Sequence, residues 1–316
     1  MEDKGSYRNP YPSTASLRWG ILRDAFLAPT RSSQPQPTED YYNKLSAQIR
    51  ISRKTTGGFN LIPCRIISKC EDVCVSYTLP LEGAPTLVLN QRLDNTTTSV
   101  NLINDFHICN QFAIDNTGLV CHWPSEDVLA YFCLSHADMF RSKRILELGA
   151  GYGLAGLVIA ASTDAVEVVI SDGNPQVVDY IQRNIHANSG AFTETRVKSM
   201  LLHWSQEDVS NVLNTFDIII ASDCTFFKEY HDGLAQTIKS MLKRSEASEA
   251  IVFSPKRGNS LDKFLEKIKE IGMCFSITEN YDKEVWQRHQ FFLNGDRSWP
   301  NYETDHCYPF LVRITL

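Results

Sequence analysis

Three closely spaced glycines follow a short apolar segment near the middle of the chain. Gly149, Gly151 and Gly153 come directly after Ile-Leu-Glu-Leu, and a second apolar stretch begins at Leu154. Glycines allow positive φ and let a ligand approach the backbone, while a helix N-terminus presents unpaired N–H groups. This spacing predicts a strand, a ligand-binding loop that includes Ala150, and a helix. Such a loop suits an adenosine-containing cofactor.

Acidic residues end two further apolar segments. Asp172 ends Val-Val-Ile-Ser-Asp, and Asp223 ends Ile-Ile-Ile-Ala-Ser-Asp. A carboxylate at the end of the strand after the glycine loop is placed to accept the two hydroxyls of a ribose. We therefore expect Asp172 to bind the cofactor. We expect Asp223, with Ser222 beside it, to face the cleft beyond the carboxyl ends of the strands.

The glycine pattern alone is compatible with two cofactors. Gly151-x-Gly153-x-x-Gly156 also matches the dinucleotide fingerprint, so NAD is an alternative to S-adenosylmethionine. Glu147 lies just before the glycines, and its carboxylate suits the ammonium group of a methionine moiety better than a pyrophosphate. Together with the second acid in the cleft, this favours an S-adenosylmethionine-dependent methyltransferase.

Strand-like and helix-like segments alternate from residue 121 to residue 316. Predicted strands lie near 144–148, 165–171, 216–221, 250–254, 274–277 and 308–315, and predicted helices lie at 125–140, from 154, and at 175–188, 230–244 and 262–271. This alternation is typical of βαβ units and a parallel sheet. Residues 46–120 predict a β-rich region with strands near 48–52, 64–68, 73–78 and 86–89. Residues 1–45 contain a polar, proline-rich stretch and predict a flexible or partly helical segment.

Charge and cysteine content narrow the possible partners and compartments. The 316 residues carry a formal net charge of −6, which argues against a general nucleic-acid partner. No apolar run approaches the roughly 18 residues of a membrane span, and no secretory signal begins the sequence. The nine cysteines are scattered without a CxxC pair, so we expect reduced thiols and no metal site. We expect a monomer located in the cytoplasm or the nucleus.

Several of these segments together resemble the lysine methyltransferases of the seven-β-strand class. They are Trp123-Pro124-Ser125, Glu147-Leu148-Gly149-Ala150-Gly151, Asp172, Trp204 and Asp223-x-x-Phe226. Within that class, the segments at 222–227, 253–259, 279–282 and 306–309 resemble the calmodulin-lysine N-methyltransferase family. The resemblance extends from residue 59 to the C-terminus.

The resemblance implies a fold, a cofactor and a substrate. The fold is α/β, a Rossmann-like seven-stranded class I methyltransferase sheet with helices on both faces. The implied S-adenosylmethionine contacts come from Trp123, Gly149, Ala150, Gly151, Asp172, Trp204 and Ser222. Asp223 faces the substrate lysine, which belongs to calmodulin and receives up to three methyl groups. The class often has tyrosine where this chain has Phe226, so a hydroxyl there would have to come from Tyr230.

Three alternatives remain open at this level. The same fold can act on another protein lysine, a small molecule or RNA. The chain can also be a non-catalytic scaffold that binds adenosylmethionine, or a nicotinamide dehydrogenase. Two negatively charged proteins associate slowly unless local basic patches guide them, so Lys256 and Arg257 are candidates for docking an acidic partner.

Overall fold

The chain folds into a three-stranded sheet and a seven-stranded sheet joined by one hydrophobic core. The structure is a computed structural model that describes residues 58–69, 72–92, 117–120, 122–192, 194–204, 213–300 and 302–316. The predicted segment 1–45 and the predicted strand near 48–52 lie outside these residues. Among the described residues, no helix has both the length and the apolar character that a membrane crossing needs.

Within the described residues, ten strands form the two sheets. They are β1 (Cys64–Lys69), β2 (Asp72–Thr78), β3 (Thr86–Arg92), β4 (Arg144–Leu148), β5 (Glu167–Asp172), β6 (Arg196–Leu201), β7 (Ile218–Ser222), β8 (Glu249–Ser254), β9 (Cys274–Thr278) and β10 (Phe310–Thr315). The first three form an antiparallel sheet in chain order. The remaining seven lie in the order β6-β5-β4-β7-β8-β10-β9. Strand β10 runs antiparallel to both of its neighbours, β8 and β9. The five strands β6, β5, β4, β7 and β8 are parallel to one another.

Eight helices are described. They are α1 (Thr117–Val120), α2 (Pro124–Ser135), α3 (Leu154–Ser162), α4 (Pro175–Ala187), α5 (His231–Met241), α6 (Ser260–Glu270), α7 (Lys283–Leu293) and α8 (Thr304–Cys307). Helix α2 packs against α3, and α5 packs against α6. This strand order with its reversed β10 confirms the Rossmann-like class I methyltransferase fold expected from the sequence.

Burial explains why the central strands read as continuous apolar runs. Strands β4 and β7 are neighbours at the centre of the sheet, and Ile145 and Ile219 are fully buried. Strands of a parallel sheet are covered on both faces, so they lack the polar alternation of a half-exposed strand. Their carboxyl ends place Gly149 and Asp223 side by side, which is the edge where ligands bind in such sheets.

Asparagine side chains of α4 attach the three-stranded sheet to the rest of the molecule. The Asn188 amide accepts a hydrogen bond from Val88 N at 2.8 Å and donates one to Val88 O at 2.7 Å. One turn earlier, the Asn184 amide bonds the N–H and the carbonyl of Asn90 in the same way. Strand β3 therefore pairs with two side chains of a helix where another strand would otherwise continue the sheet.

Two longer elements, β6 and α7, were not predicted from the sequence, and neither were the four-residue helices α1 and α8. Strand β6 lies at the edge of the large sheet, where half-exposed residues and two charged side chains weaken the apolar pattern. Helix α7 places Trp286 and His289 in an aromatic cluster with Tyr308. The predicted helix at 125–140 ends at Ser135 and is followed by a short 3₁₀ turn, Ala137–Phe140.

Candidate active site

A cavity opens at the carboxyl ends of β4, β5 and β7, and the glycine loop forms one wall of it. Gly149 and Gly151 have φ of +58° and +55°, conformations that favour glycine. A Cβ at Gly149 would lie 2.7 Å from the Cys224 sulfur and 3.1 Å from the Trp204 ring. The wall must therefore be bare backbone, which a ligand can approach closely.

Asp172 fixes the edge of this loop. One carboxylate oxygen accepts the Gly151 N–H at 3.2 Å, and the other accepts the Asn174 N–H at 2.9 Å. Both Asp172 and Asn174 line the cavity. The carboxylate is thus held in place by the backbone before any ligand binds, as a ribose-binding acid requires.

Helix α1 and Trp123 close the cavity on another side. The Trp123 indole N–H donates to Thr117 O at 3.1 Å, and Gly118 packs against the glycine loop so closely that a Cβ there would lie 3.4 Å from the Gly151 Cα. Trp123, Thr117 and Gly118 all line the cavity. Only Trp123 was predicted among them.

A buried ionic cluster supports the start of α3. One Glu126 carboxylate oxygen accepts the Leu154 N–H at 3.0 Å, and the other lies 2.9 Å from His122 Nδ1. His122 Nε2 is 2.6 Å from Asp127. Burial alone would disfavour a charged ring, but the carboxylates of Glu126 and Asp127 outweigh it and raise the pKa of His122 to about 9. His122 is therefore a cation that holds two carboxylates.

The structure corrects the expected position of Glu147. Its side chain is buried beneath α3, where it accepts the Gly156 N–H at 2.9 Å, and it does not line the cavity. Burial raises the pKa of Glu147 well above its usual value, and the nearby Glu126 carboxylate adds to this shift. In contrast to Glu147, Glu126 lines the cavity. Gly153 also lies outside the lining, at the turn into α3 with φ +80°.

Trp204 is wedged between two glycines. Gly149 faces its ring, and Gly233 of α5 approaches it so closely that a Cβ there would lie 2.5 Å from the Trp204 carbonyl oxygen. The indole Nε1 is buried and has no hydrogen-bond partner among the described residues. Tyr230 meets the ring edge-on, with centroids 6.2 Å apart. A buried donor without a partner is costly, so this wall suits a ligand that carries acceptor atoms.

Asp223 lies at the other end of the site and is paired with an arginine. Its backbone has φ +55°, and its two carboxylate oxygens accept Arg257 Nε and Nη2 at 3.0 and 2.5 Å. The side chains of Asp223 and Arg257 are 7% and 3% exposed. The guanidinium carbon lies 5.0 Å from the centre of the Phe226 ring and 5.6 Å from that of Trp123.

The position of Arg257 differs from the one expected from the sequence, which indicated a solvent-exposed residue that could dock an acidic partner. In the structure Arg257 is buried and lines the cavity, whereas Lys256 is exposed. The turn after β8 accounts for this, because Arg257 N donates to Asp305 O and Gly258 N donates to the Asp305 carboxylate. These contacts turn the guanidinium inward to Asp223.

The predicted site residues largely meet at this one cavity. Those that line it are Trp123, Gly149, Ala150, Gly151, Asp172, Trp204, Ser222, Asp223, Phe226 and Tyr230. Sequence reasoning missed Glu126, Thr117, Gly118, His203, Cys224 and Arg257. The segment around Arg257 had been noted for its resemblance, but nothing in it indicated burial. Among the described residues, no three His, Cys, Asp or Glu side chains are arranged to hold a metal ion.

The residues present fit S-adenosylmethionine. The glycine loop offers bare backbone, Asp172 a preset acceptor for ribose hydroxyls, and Trp204 a buried N–H donor beside a flat apolar wall. The Glu126 and Asp172 carboxylates line the cavity and suit a ligand with ammonium and sulfonium charges.

Comparisons with known proteins show which proteins this chain resembles. A family model described as lysine methyltransferase matches residues 109–271. Calmodulin-lysine N-methyltransferase of Arabidopsis thaliana is 57% identical over 309 residues, which cover 96% of this chain and 97% of that protein. A protein N-lysine methyltransferase of Danio rerio is 26% identical over 51% of this chain and 71% of its own length. A solved S-adenosylmethionine-dependent methyltransferase of Mesorhizobium loti, 12% identical, covers 59% of this chain and 97% of its own, with a TM-score of 0.43.

Proposed function

Because the chain belongs to the lysine methyltransferase family, and its methyl donor is S-adenosylmethionine, we propose that its protein substrate is calmodulin. The observation that carries this substrate is the 57% identity with a calmodulin-lysine N-methyltransferase across nearly the whole of both chains. That identity extends beyond residues 109–271, the part shared with lysine methyltransferases in general. We propose that up to three methyl groups are added to one lysine.

The cofactor end of the cavity has a clear division of roles. Asp172 would hold the ribose hydroxyls, the backbone of Gly149, Ala150 and Gly151 would lie along the cofactor, and Trp204 would bind at the adenine. Trp123 and Ser222 would line the remaining walls. When bound, S-adenosylmethionine supplies a methyl group on a sulfonium, which a neutral amine attacks in line.

The lysine end must hold an uncharged amine against that methyl group. A free lysine has a pKa of about 10.4, so the site has to favour the minor, deprotonated form near neutral pH. Burial of the amine among Phe226, Phe227 and Trp123 favours that form, because an apolar environment disfavours charge. Asp223 keeps acceptor capacity beside Arg257, so it and the Tyr230 hydroxyl can orient the uncharged nitrogen. Holding the reacting atoms in line then supplies most of the rate.

Mass spectrometry tests the substrate directly. The protein is incubated with isotopically labelled S-adenosylmethionine and unmethylated calmodulin, and labelled lysines are located by peptide mapping. Calmodulin already methylated to completion, purified the same way, serves as the matched control and should take up no label. If unmethylated calmodulin stays unlabelled while another protein in a cell extract is labelled, calmodulin is the wrong substrate and the lysine methyltransferase assignment stands.

Three further proposals concern the protein as a whole. We propose a monomer in the cytoplasm or the nucleus, without a nucleic-acid partner. The net charge of −6 supports the absence of a nucleic-acid partner, and the free thiols of the described cysteines support a reducing compartment. Light scattering of the purified chain checks the first. Fluorescence microscopy of a tagged chain and electrophoretic mobility with RNA and DNA check the others.

A further inference from the structure

The lysine end of the cavity already contains a permanent positive charge. The Arg257 guanidinium forms two hydrogen bonds to Asp223, and both residues line the cavity. An arginine stays protonated at any pH a protein tolerates, and its planar fork matches a carboxylate. Hence the acid expected to receive a substrate ammonium is neutralised before the substrate arrives.

The same guanidinium lies against the aromatic walls. Its distances to the Phe226 and Trp123 ring centres, 5.0 and 5.6 Å, are within the range of cation–π attraction. These faces would otherwise attract a lysine ammonium. A charged lysine entering this end of the cavity would thus meet a like charge, while Asp223 and both ring faces are already engaged by Arg257. Of the other acids that line the cavity, Asp172 accepts two backbone N–H groups and Glu126 is paired with His122.

The ion pair is fixed from two neighbouring strands. Asp223 follows β7 and donates its N–H to Phe253 O of β8 at 2.8 Å, while Arg257 lies just beyond β8 and donates its N–H to Asp305 O at 2.8 Å. Since β7 and β8 pair directly, both partners are anchored to the same part of the sheet. The guanidinium is therefore a preset part of the wall.

Two buried thiols near the pair stay neutral around pH 7. Burial raises the pKa of the Cys224 thiol well above its usual value, and burial raises that of Cys307 to about 11. The Asp305 carboxylate accepts the Gly258 N–H at 2.7 Å in the same turn. His203 lines the cavity beyond Tyr230 and is common to every variant compared below.

We propose that Arg257 is a positioning residue that selects the charge state of the substrate: by occupying Asp223, it makes the cavity admit the uncharged lysine amine and reject the ammonium. The lysine then gives its proton to solvent before it enters, and no base in the cavity is needed. This inference rests on the proposed function, since it takes a lysine amine as the group that enters.

The pH dependence of methyl transfer to calmodulin tests the proposal. For the wild-type enzyme, kcat/KM should rise about tenfold per pH unit from pH 7 to 9, as the free amine fraction does, while kcat stays flat. Arg257→Gln frees Asp223 to bind the ammonium. Its KM should be equal or lower and should no longer fall as pH rises, and its kcat at pH 7 should be at least about tenfold lower. Its kcat should now rise with pH, while kcat/KM still rises as in the wild type because it follows the free lysine.

Two further variants separate charge from packing. Arg257→Lys keeps the positive charge and should keep the wild-type pH pattern, even at a lower rate. Lys256→Gln removes the neighbouring exposed charge and should leave the pH pattern unchanged. Calorimetric binding of S-adenosylhomocysteine and thermal melting report whether each variant is folded.

Each failure has a distinct meaning. A wild-type enzyme that labels no calmodulin overturns the proposed function. An active wild type whose kcat itself rises with pH from 7 to 9 overturns the role of Arg257, whether or not the variants fold. A higher KM for Arg257→Gln with the wild-type pH pattern would show that Arg257 only supports the wall.

Discussion

Removal of the Tyr152 hydroxyl tests whether the three-stranded sheet stabilises the cofactor loop. Tyr152 lies inside the glycine loop and is 2% exposed. Its hydroxyl donates to Leu119 O at 2.9 Å and accepts the Arg92 N–H at 3.1 Å, so one oxygen joins the loop to α1 and β3. Tyr152→Phe keeps the ring and its edge contact with Tyr180 while removing both hydrogen bonds.

The expected loss follows from those two bonds. At about 1 kcal/mol each, the free energy of unfolding should fall by about 2 kcal/mol. If about half of this acts on the loop that binds the cofactor, the Kd for S-adenosylhomocysteine should rise roughly fivefold. Urea denaturation measures the first quantity, and isothermal calorimetry measures the second.

Tyr180→Phe is the matched control. The Tyr180 hydroxyl donates to Asp72 at 2.6 Å and ties β2 to α4, away from the glycine loop. This variant should lose about 1 kcal/mol of stability and keep the wild-type Kd. If Tyr152→Phe is destabilised but binds cofactor as tightly as wild type, or if both variants weaken binding equally, the sheet does not stabilise the cofactor loop through Tyr152.

Three other outcomes follow from the site. Asp172→Ala should raise the Kd for S-adenosylhomocysteine at least tenfold, about 1.4 kcal/mol, as measured by calorimetry on the folded variant. Unchanged affinity would contradict the ribose role of Asp172. The pKa of His122 is about 9 in the folded chain and about 6.5 when unfolded, so the protonated ring adds roughly 3 kcal/mol to the free energy of unfolding. This stabilisation is fully present below pH 6.5 and is lost as the pH rises through 9. Denaturation from pH 6 to 10 should show this loss in the wild type, and His122→Gln should lack it. Gly156→Ala places a Cβ 2.6 Å from a Glu147 carboxylate oxygen and should cost roughly 1–3 kcal/mol by thermal melting, whereas wild-type stability would show that α3 can shift.

The cofactor end of the site could be predicted because its signals are local. Each of these signals occupies a few contiguous residues: the buried strand β4, the glycines Gly149 and Gly151, and the acid at the end of β5. Parallel pairing then brings those ends to one edge of the sheet. The resemblance added Trp204, whose position depends on Gly233 of a distant helix and has no local signature.

The positions of the other site residues could not be predicted because they depend on contacts between residues that are far apart in the sequence. Arg257 stands in a polar turn that is typical of exposed residues, and its burial depends on Asp305, nearly fifty positions away. Glu147 was the natural candidate for a cofactor contact because it precedes the glycines, yet its carboxylate binds the N–H of Gly156. Glu126 reaches the cavity from α2, and the sequence offered no reason to prefer it over its neighbour Asp127.

The β-rich region acts on the cofactor loop through hydrogen bonds and through the core. The lysine methyltransferase match begins at residue 109, after β3 has ended at Arg92, yet β3 reaches the loop through Tyr152. Asn184 connects the same two parts, since its side-chain N–H₂ donates to both Asn90 O and Tyr152 O. Leu87 and Leu89 of β3 are fully buried in the core that also contains the large sheet. A chain that begins at residue 109 would keep the large sheet, expose that apolar face and lose one anchor of the glycine loop, so its cofactor affinity should fall together with its stability.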